Sequence, residues 1–166
     1  MSLLEWTPEM SVGVDVIDTD HQLLVSLINQ LNDAVKTGQG QATTGSVLNV
    51  LYDYTGFHFG REEMMMEAAL YPELEEHKKA HIDLKSKVLD IRNNYISGKV
   101  DGIEEDVMNL LKDWLKDHIM GRDRLYQSAM VEHRDKALEA AEKFNSSSVW
   151  LFDEGEVVDD PFDPKY

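Results

Sequence analysis

The chain has 166 residues, 42% of them hydrophobic, with a formal net charge of −16 and no cysteine. That length suits one domain with a real core, and the lack of thiols excludes a disulfide framework, Cys-ligated zinc and iron–sulfur clusters. The acidity argues against a nucleic-acid binder or a protein of anionic membrane surfaces, both of which need a basic face, and reads as a solvated surface that keeps the protein soluble.

The N-terminal stretch MSLLEWTPEM carries acid rather than a basic leader, and no apolar run approaches the ~18 residues of a membrane span, so a cytoplasmic location is expected. Residues 1 to about 17 look like an extended arm, with Trp6, Pro8 and the β-branched alternation VGVDVID. Asp18, Thr19 and Asp20 offer N-cap chemistry for a first helix. Its apolar and His positions, Ile17, His21, Leu24, Ile28, Leu31 and Val35, step by four and three until TGQGQ closes the segment.

A second helix steps in the same way through Leu48, Leu51, Thr55, His58, Glu62, Met65 and Ala69, and Pro72 separates it from a third. The third carries Leu74, His77, His81, Leu84, Val88, Ile91 and Tyr95 in register, and Gly98 and Gly102 flank the next turn. The fourth places Val107, Leu111, Trp114, His118 and Leu125 on its stripe. Four long segments of three-four period with short connections and no convincing strand predict an all-α, up-down-up-down four-helix bundle with an N-terminal arm and a C-terminal extension.

His21, His58, Glu62, His77, His81 and His118 occupy core stripes where apolar residues would otherwise sit. Unpaired buried polar groups cost a few kcal/mol each and an unpaired carboxylate more, so a shared cation is the economical way to satisfy all of them together. The pairs H-x₃-E in HFGRE and H-x₃-H in HKKAH lie four apart, on one helix face. Asp123 is different: five residues after His118, it falls roughly 140° around a regular helix from that histidine. A single-turn π-bulge would bring the two together, and Gly121 between them would ease the distortion.

Five imidazole nitrogens, four oxygens from two carboxylates if both bridge, and one solvent oxygen shared between two metals would fill eleven of the twelve positions of two octahedral ions. The twelfth is an open position for a small molecule, and mixed imidazole and carboxylate ligation suits iron better than calcium or magnesium.

The pattern H…HxxxE…HxxxH…HxxxxD on four helices resembles the hemerythrin family, and the length and N-terminal arm resemble its bacterial members. The resemblance covers residues 1 to about 130, and all seven positions of the motif are filled. It implies that His77, His81 and His118 hold one iron, that His21 and His58 hold a second, and that Glu62 and Asp123 bridge the two beside a solvent-derived oxo or hydroxo bridge. It further implies that the second iron carries the vacancy for O₂, and that the function is reversible O₂ binding for storage, delivery or sensing rather than an enzyme's turnover. Leu115, one turn before His118, is expected to line the O₂ pocket. Ile119, directly after His118, is expected there too, while for Phe59 and Trp114 a plain core role stands beside the pocket role.

Two further functions compete. A di-iron oxidase or peroxidase is disfavoured because no E-x-x-H pair of the ferritin-like kind is present at the site, Glu75 and Glu76 preceding His77 by two and one. An oxygen-responsive signalling module would share the site and pass its state to a partner. Met64, Met65 and Met66 read as gap-filling core, and His133 as a surface residue.

Residues 131–166 form the extension. The helix is expected to run on to Phe144 and to break at the serines that follow. Within 146–166 six acidic residues stand against one lysine, around the apolar cluster VWLF. Disorder of this tail, favoured by its acid, proline and glycine, stands against docking of VWLF on the bundle or on a protein partner, which its apolarity slightly favours.

Overall fold

The computed structural model describes residues 2–103 and 105–149, and among them there is no strand. The helices are α1 (Asp15–Lys36), α2 (Gln41–Ala68), α3 (Leu74–Ile96), α4 (Glu105–Asp117), a π-helical turn (His118–Asp123), α5 (Arg124–Glu132) and α6 (Arg134–Val149). Short connections between α1, α2, α3 and the α4–α5 rod give the up-down-up-down bundle. The expectations for the tail, including docking of VWLF, lie outside the described residues. No helix among those described is long and apolar enough to cross a membrane.

The helices stop where the backbone can turn left-handed. Gly38 (φ 63°) and Gly98 (φ 70°) follow the ends of α1 and α3, and the next amides reach back to Ala34 and Asn94. Such closures satisfy carbonyls that have no partner within the helix. Leu70 (φ 55°) does the same after α2, without glycine's freedom.

The core divides into two apolar clusters. One gathers Leu24, Ile28, Leu31, Leu48, Leu51, Leu84, Val88, Leu111 and Leu115. The other gathers Val12, Val14 and Ile17 with Met65, Met66, Tyr126 and Met130. Each bundle helix passes from one cluster to the other, and its histidines and carboxylates fall in between: His21 between Ile17 and Leu24, His77 and His81 between Leu74 and Leu84. The arm is strapped to α1 by Asn29, whose side-chain oxygen accepts from the amides of Leu3 and Leu4 and whose nitrogen donates to Leu4 O.

Four expectations are corrected. α1 starts at Asp15, so Asp18, Thr19 and Asp20 do not cap it. Asp18 instead accepts from the Val12 amide and the Ser11 hydroxyl, tying the arm to the helix. Only a short 3₁₀ turn, Pro8–Met10, interrupts the arm, and residues 15–17 of the supposed arm are helical. Leu125 is exposed and Tyr126 is buried in its stead, because the π turn inserts one residue and shifts the inward stripe. At the C-terminal end the helical course breaks at His133 and then continues past the serines to Val149, with Ser146 and Ser147 returning their hydroxyls to Glu142 O and Phe144 O. α6 packs along α2.

Candidate metal centre

The π-helical turn is where the spacing argument placed it. It carries Asp123 back under His118, with His118 Nε2 3.0 Å from Asp123 Oδ1. Gly121 is not what permits it: its φ is not left-handed and an added Cβ would meet nothing within 4 Å.

All seven residues are buried, and they converge in two groups. Glu62, His77, His81, His118 and Asp123 form one, and His21, His58 and Glu62 the other. Glu62 belongs to both: Oε2 lies 3.1 Å from His81 Nε2 and 3.6 Å from His58 Nε2, and Oε1 3.9 Å from His21 Nε2. Asp123 also spans them, with Oδ1 3.1 Å from His77 Nε2 and Oδ2 3.1 Å from His21 Nε2. Three imidazoles therefore stand on one side, two on the other, and both carboxylates face both sides.

Hydrogen bonding does not account for this layer. Both nitrogens of His21, Nε2 of His77, Oε2 of Glu62 and both oxygens of Asp123 are buried without a hydrogen-bond partner. His81 Nε2 and His118 Nε2 face each other at 3.2 Å, where only one of them can carry a proton. Lone pairs left without partners and pointed at common centres are what a nitrogen and oxygen donor set for two cations requires, and the residues fit iron.

The electrostatics agree. Burial alone would raise Glu62 and Asp123, as would their mutual repulsion, yet the surrounding imidazoles hold Glu62 low and Asp123 well below the usual carboxylate range. Burial would lower His81, but the carboxylates of Glu62 and Glu63 outweigh it and raise the imidazole to about 9. His21 is raised in the same way by Asp123. Without a cation, protons hold the place between the carboxylates.

Around the centre stand residues the spacing pattern did not single out for the site. Asp20, considered only as a cap, is buried on the second turn of α1, and its Oδ2 accepts from His58 Nδ1 at 3.0 Å. Burial pushes Asp20 up, but hydrogen bonds from His58 and Arg61 bring it down to about 2. His81 Nδ1 donates to Glu63 Oε1 at 2.8 Å, and the Tyr126 hydroxyl donates to Glu62 Oε1. Burial, then the charges of Asp123 and Glu62, raise Tyr126 well above the usual phenol range, so it remains a donor. The available signals were an acid directly before His21, an acid directly after Glu62, and a stripe moved one residue by the π turn.

Of the expected pocket residues, Phe59 stacks on His81 (centroids 3.9 Å, planes 5° apart) and Trp114 on His118 (5.1 Å, 27°). Phe59, Trp114 and Leu115 share, with Leu24, Ile28 and Leu51 among others, the wall of a void of about 10 Å³ in the apolar cluster above the centre. Ile119 is fully buried but does not line that void.

Residues 12–130 match the family model described as Hemerythrin, hemerythrin HHE cation binding domain. The chain is 34% identical to the bacteriohemerythrin of Stenotrophomonas maltophilia over 80% of its own length and 85% of that protein's. It is also 34% identical to the bacteriohemerythrin of Pseudomonas aeruginosa strain PAO1, over 91% and 94% of the two chains. A crystal structure of wild-type hemerythrin superimposes with a TM-score of 0.72 at 29% identity, covering 77% of this chain and 98% of that one.

Proposed function

The chain belongs to the hemerythrin family, and from that premise we propose that it binds dioxygen reversibly at a non-haem pair of iron ions, as a store, carrier or sensor and not as an enzyme. One observation carries the reading: five imidazoles and two carboxylates meet in a buried layer, six of their polar atoms without a hydrogen-bond partner. In this proposal His77, His81 and His118 would hold one iron and His21 and His58 the other, with Glu62 and Asp123 shared between them and a solvent-derived oxygen completing the set. When bound, an iron pair would supply two electrons to dioxygen and recover them on its release.

The protein's own part is to shape and protect that exchange. Three imidazoles against two would leave fewer protein donors beside His21 and His58, so a small molecule would bind on that side. A set dominated by neutral imidazoles has few anionic donors to stabilise highly oxidised iron, which favours release over turnover. Leu115, Phe59, Trp114 and Ile119 would keep water and stray protons away from the centre, Phe59 and Trp114 by covering His81 and His118. Residues 1–130 form the iron-holding bundle and 131–166 an extension, the whole in the cytoplasm, with a protein partner for the tail as the further element of the proposal.

Anaerobic reduction of the iron-loaded protein, admission of O₂ and purging with inert gas, followed in the visible spectrum, test this reading. A charge-transfer band that appears and vanishes over repeated cycles is expected. Immediate, irreversible conversion to a diferric spectrum would instead establish the oxidase.

A further inference from the structure

Asp20 and Arg61 form a buried ion pair, 2% and 7% exposed, that stands outside the seven converging residues. A buried pair of this kind adds little net stability once desolvation is set against attraction, so its presence asks for another purpose. Asp20 Oδ2 accepts from His58 Nδ1 at 3.0 Å and from Arg61 Nε at 3.1 Å. Oδ1 accepts from the Tyr54 hydroxyl at 2.6 Å and from a second nitrogen of Arg61. Both oxygens are engaged twice, so the carboxylate is not free to turn away from the imidazole. An ionised carboxylate only accepts, which puts a proton on Nδ1, so that in the neutral ring a metal requires the Nε2 lone pair faces Glu62.

We infer that Asp20 is a positioning residue for His58, fixing its tautomer and ring orientation as an iron donor, and that the C-terminal helix α6 holds Asp20 in place through Arg61. The remaining Arg61 nitrogen donates to Asn145 Oδ1 on α6 at 3.1 Å. The guanidinium lies 4.9 Å over the Phe57 ring, which in turn meets Phe144 of α6 at 5.3 Å. Gly60 admits this approach, since a Cβ there would stand 2.9 Å from Phe144 Cζ. The corresponding carboxylate on the three-imidazole side, Glu63, has a side chain 28% exposed to solvent. The rigid support therefore sits behind the two-imidazole side, where dioxygen is proposed to bind. Through Arg61, a helix that contributes no iron donor reaches the open iron.

This inference rests on the di-iron reading, and two measurements keep their failures apart. In metal-free, full-length protein labelled with nitrogen-15 histidine, long-range proton–nitrogen correlations read the His58 tautomer. A proton on Nδ1 is expected, as is a mixture of tautomers in the double variant Asp20→Leu/Arg61→Leu, which leaves no unpaired charge in the core. In the neutral ring, a proton on Nε2 and none on Nδ1 in the wild type, or an unchanged tautomer in the double variant, overturns the inference whether or not iron binds.

Anaerobic titration with Fe(II) against a chromophoric chelator then compares affinities for the two metal equivalents. Asp20→Asn, which keeps the shape and removes the charge, is expected to weaken one equivalent by about 10- to 100-fold and the other much less. Asn145→Ala is expected to weaken the same equivalent several-fold. Equal weakening of both ions by Asp20→Asn reduces Asp20 to a packing role, and unchanged affinity in Asn145→Ala removes α6 from the device. Failure of the wild type to bind two irons would sink the di-iron reading and leave the tautomer to judge Asp20.

Discussion

Leu115 is 2% exposed and sits one turn from His118, on the wall of a void too small and too apolar to hold water comfortably. Its neighbours Phe59 and Trp114 lie flat against two imidazoles, and in the proposed function these three side chains keep the centre dry. The one hydroxyl on that wall, Thr55, already donates to Leu51 O, so replacing Leu115 with Asn would add an uncommitted hydrogen-bonding group and let water follow it. The oxygenated Leu115→Asn protein is expected to decay to the diferric form several-fold faster than wild type, read from loss of the charge-transfer band at equal iron content. A large-to-polar change in a core also costs roughly 2–5 kcal/mol of stability, so the comparison belongs well below the melting temperature of both proteins. An unchanged decay rate would remove Leu115 from the protecting set.

At the level of elements, periodicity alone delivered the four long helices and their inward stripes, because most inward positions there are apolar and the imidazoles and carboxylates keep the same period. The fourth element shows both the reach and the limit of that reading. The five-residue gap from His118 to Asp123 disclosed the π turn, since no regular helix could bring the two together. The consequence one turn later, Tyr126 inward and Leu125 outward, went unread because the stripe was continued with a regular period. Asp18 and Asp20 were opaque for another reason. A short acid near a helix start is equally good as a cap, and only tertiary contacts with Val12 and His58 decide its role. The end of α2 yields a prediction of its own. Leu70 holds a left-handed conformation (φ 55°) with a side chain 69% exposed, so it bears the strain of that conformation and buries little in return. Leu70→Gly relieves strain of about 1–3 kcal/mol and loses part of it to the greater freedom of glycine in the unfolded chain. A net gain of about 1 kcal/mol, seen as a higher denaturation midpoint at unchanged slope, is expected. A lower midpoint would show that the exposed side chain contributes more than the strain costs.

For the molecule as a whole, folding, charge and metal binding meet in the same buried layer. In the metal-free protein Asp20 titrates at about 2 instead of 3.8, and His81 at about 9 instead of 6.5. A carboxyl held low contributes stability that is complete above its ordinary value and is lost as pH falls through about 2. An imidazole held high contributes stability that is complete below 6.5 and is lost as pH rises through about 9. The metal-free protein should therefore be most stable between about pH 4 and 6.5, and its melting temperature should fall steadily towards pH 9 as the layer loses its proton and two carboxylates face bare nitrogens. Iron replaces that proton with a cation that does not titrate away, so the alkaline decline should be largely absent when the centre is filled. General repulsion from the net charge of −16 also grows with pH, but it acts on both forms alike. The informative quantity is thus the gap between the melting temperatures of loaded and metal-free protein, measured anaerobically across this range. That gap should widen from pH 6.5 to 9; if it stays constant or narrows, protonated imidazoles are not what stabilises the empty bundle.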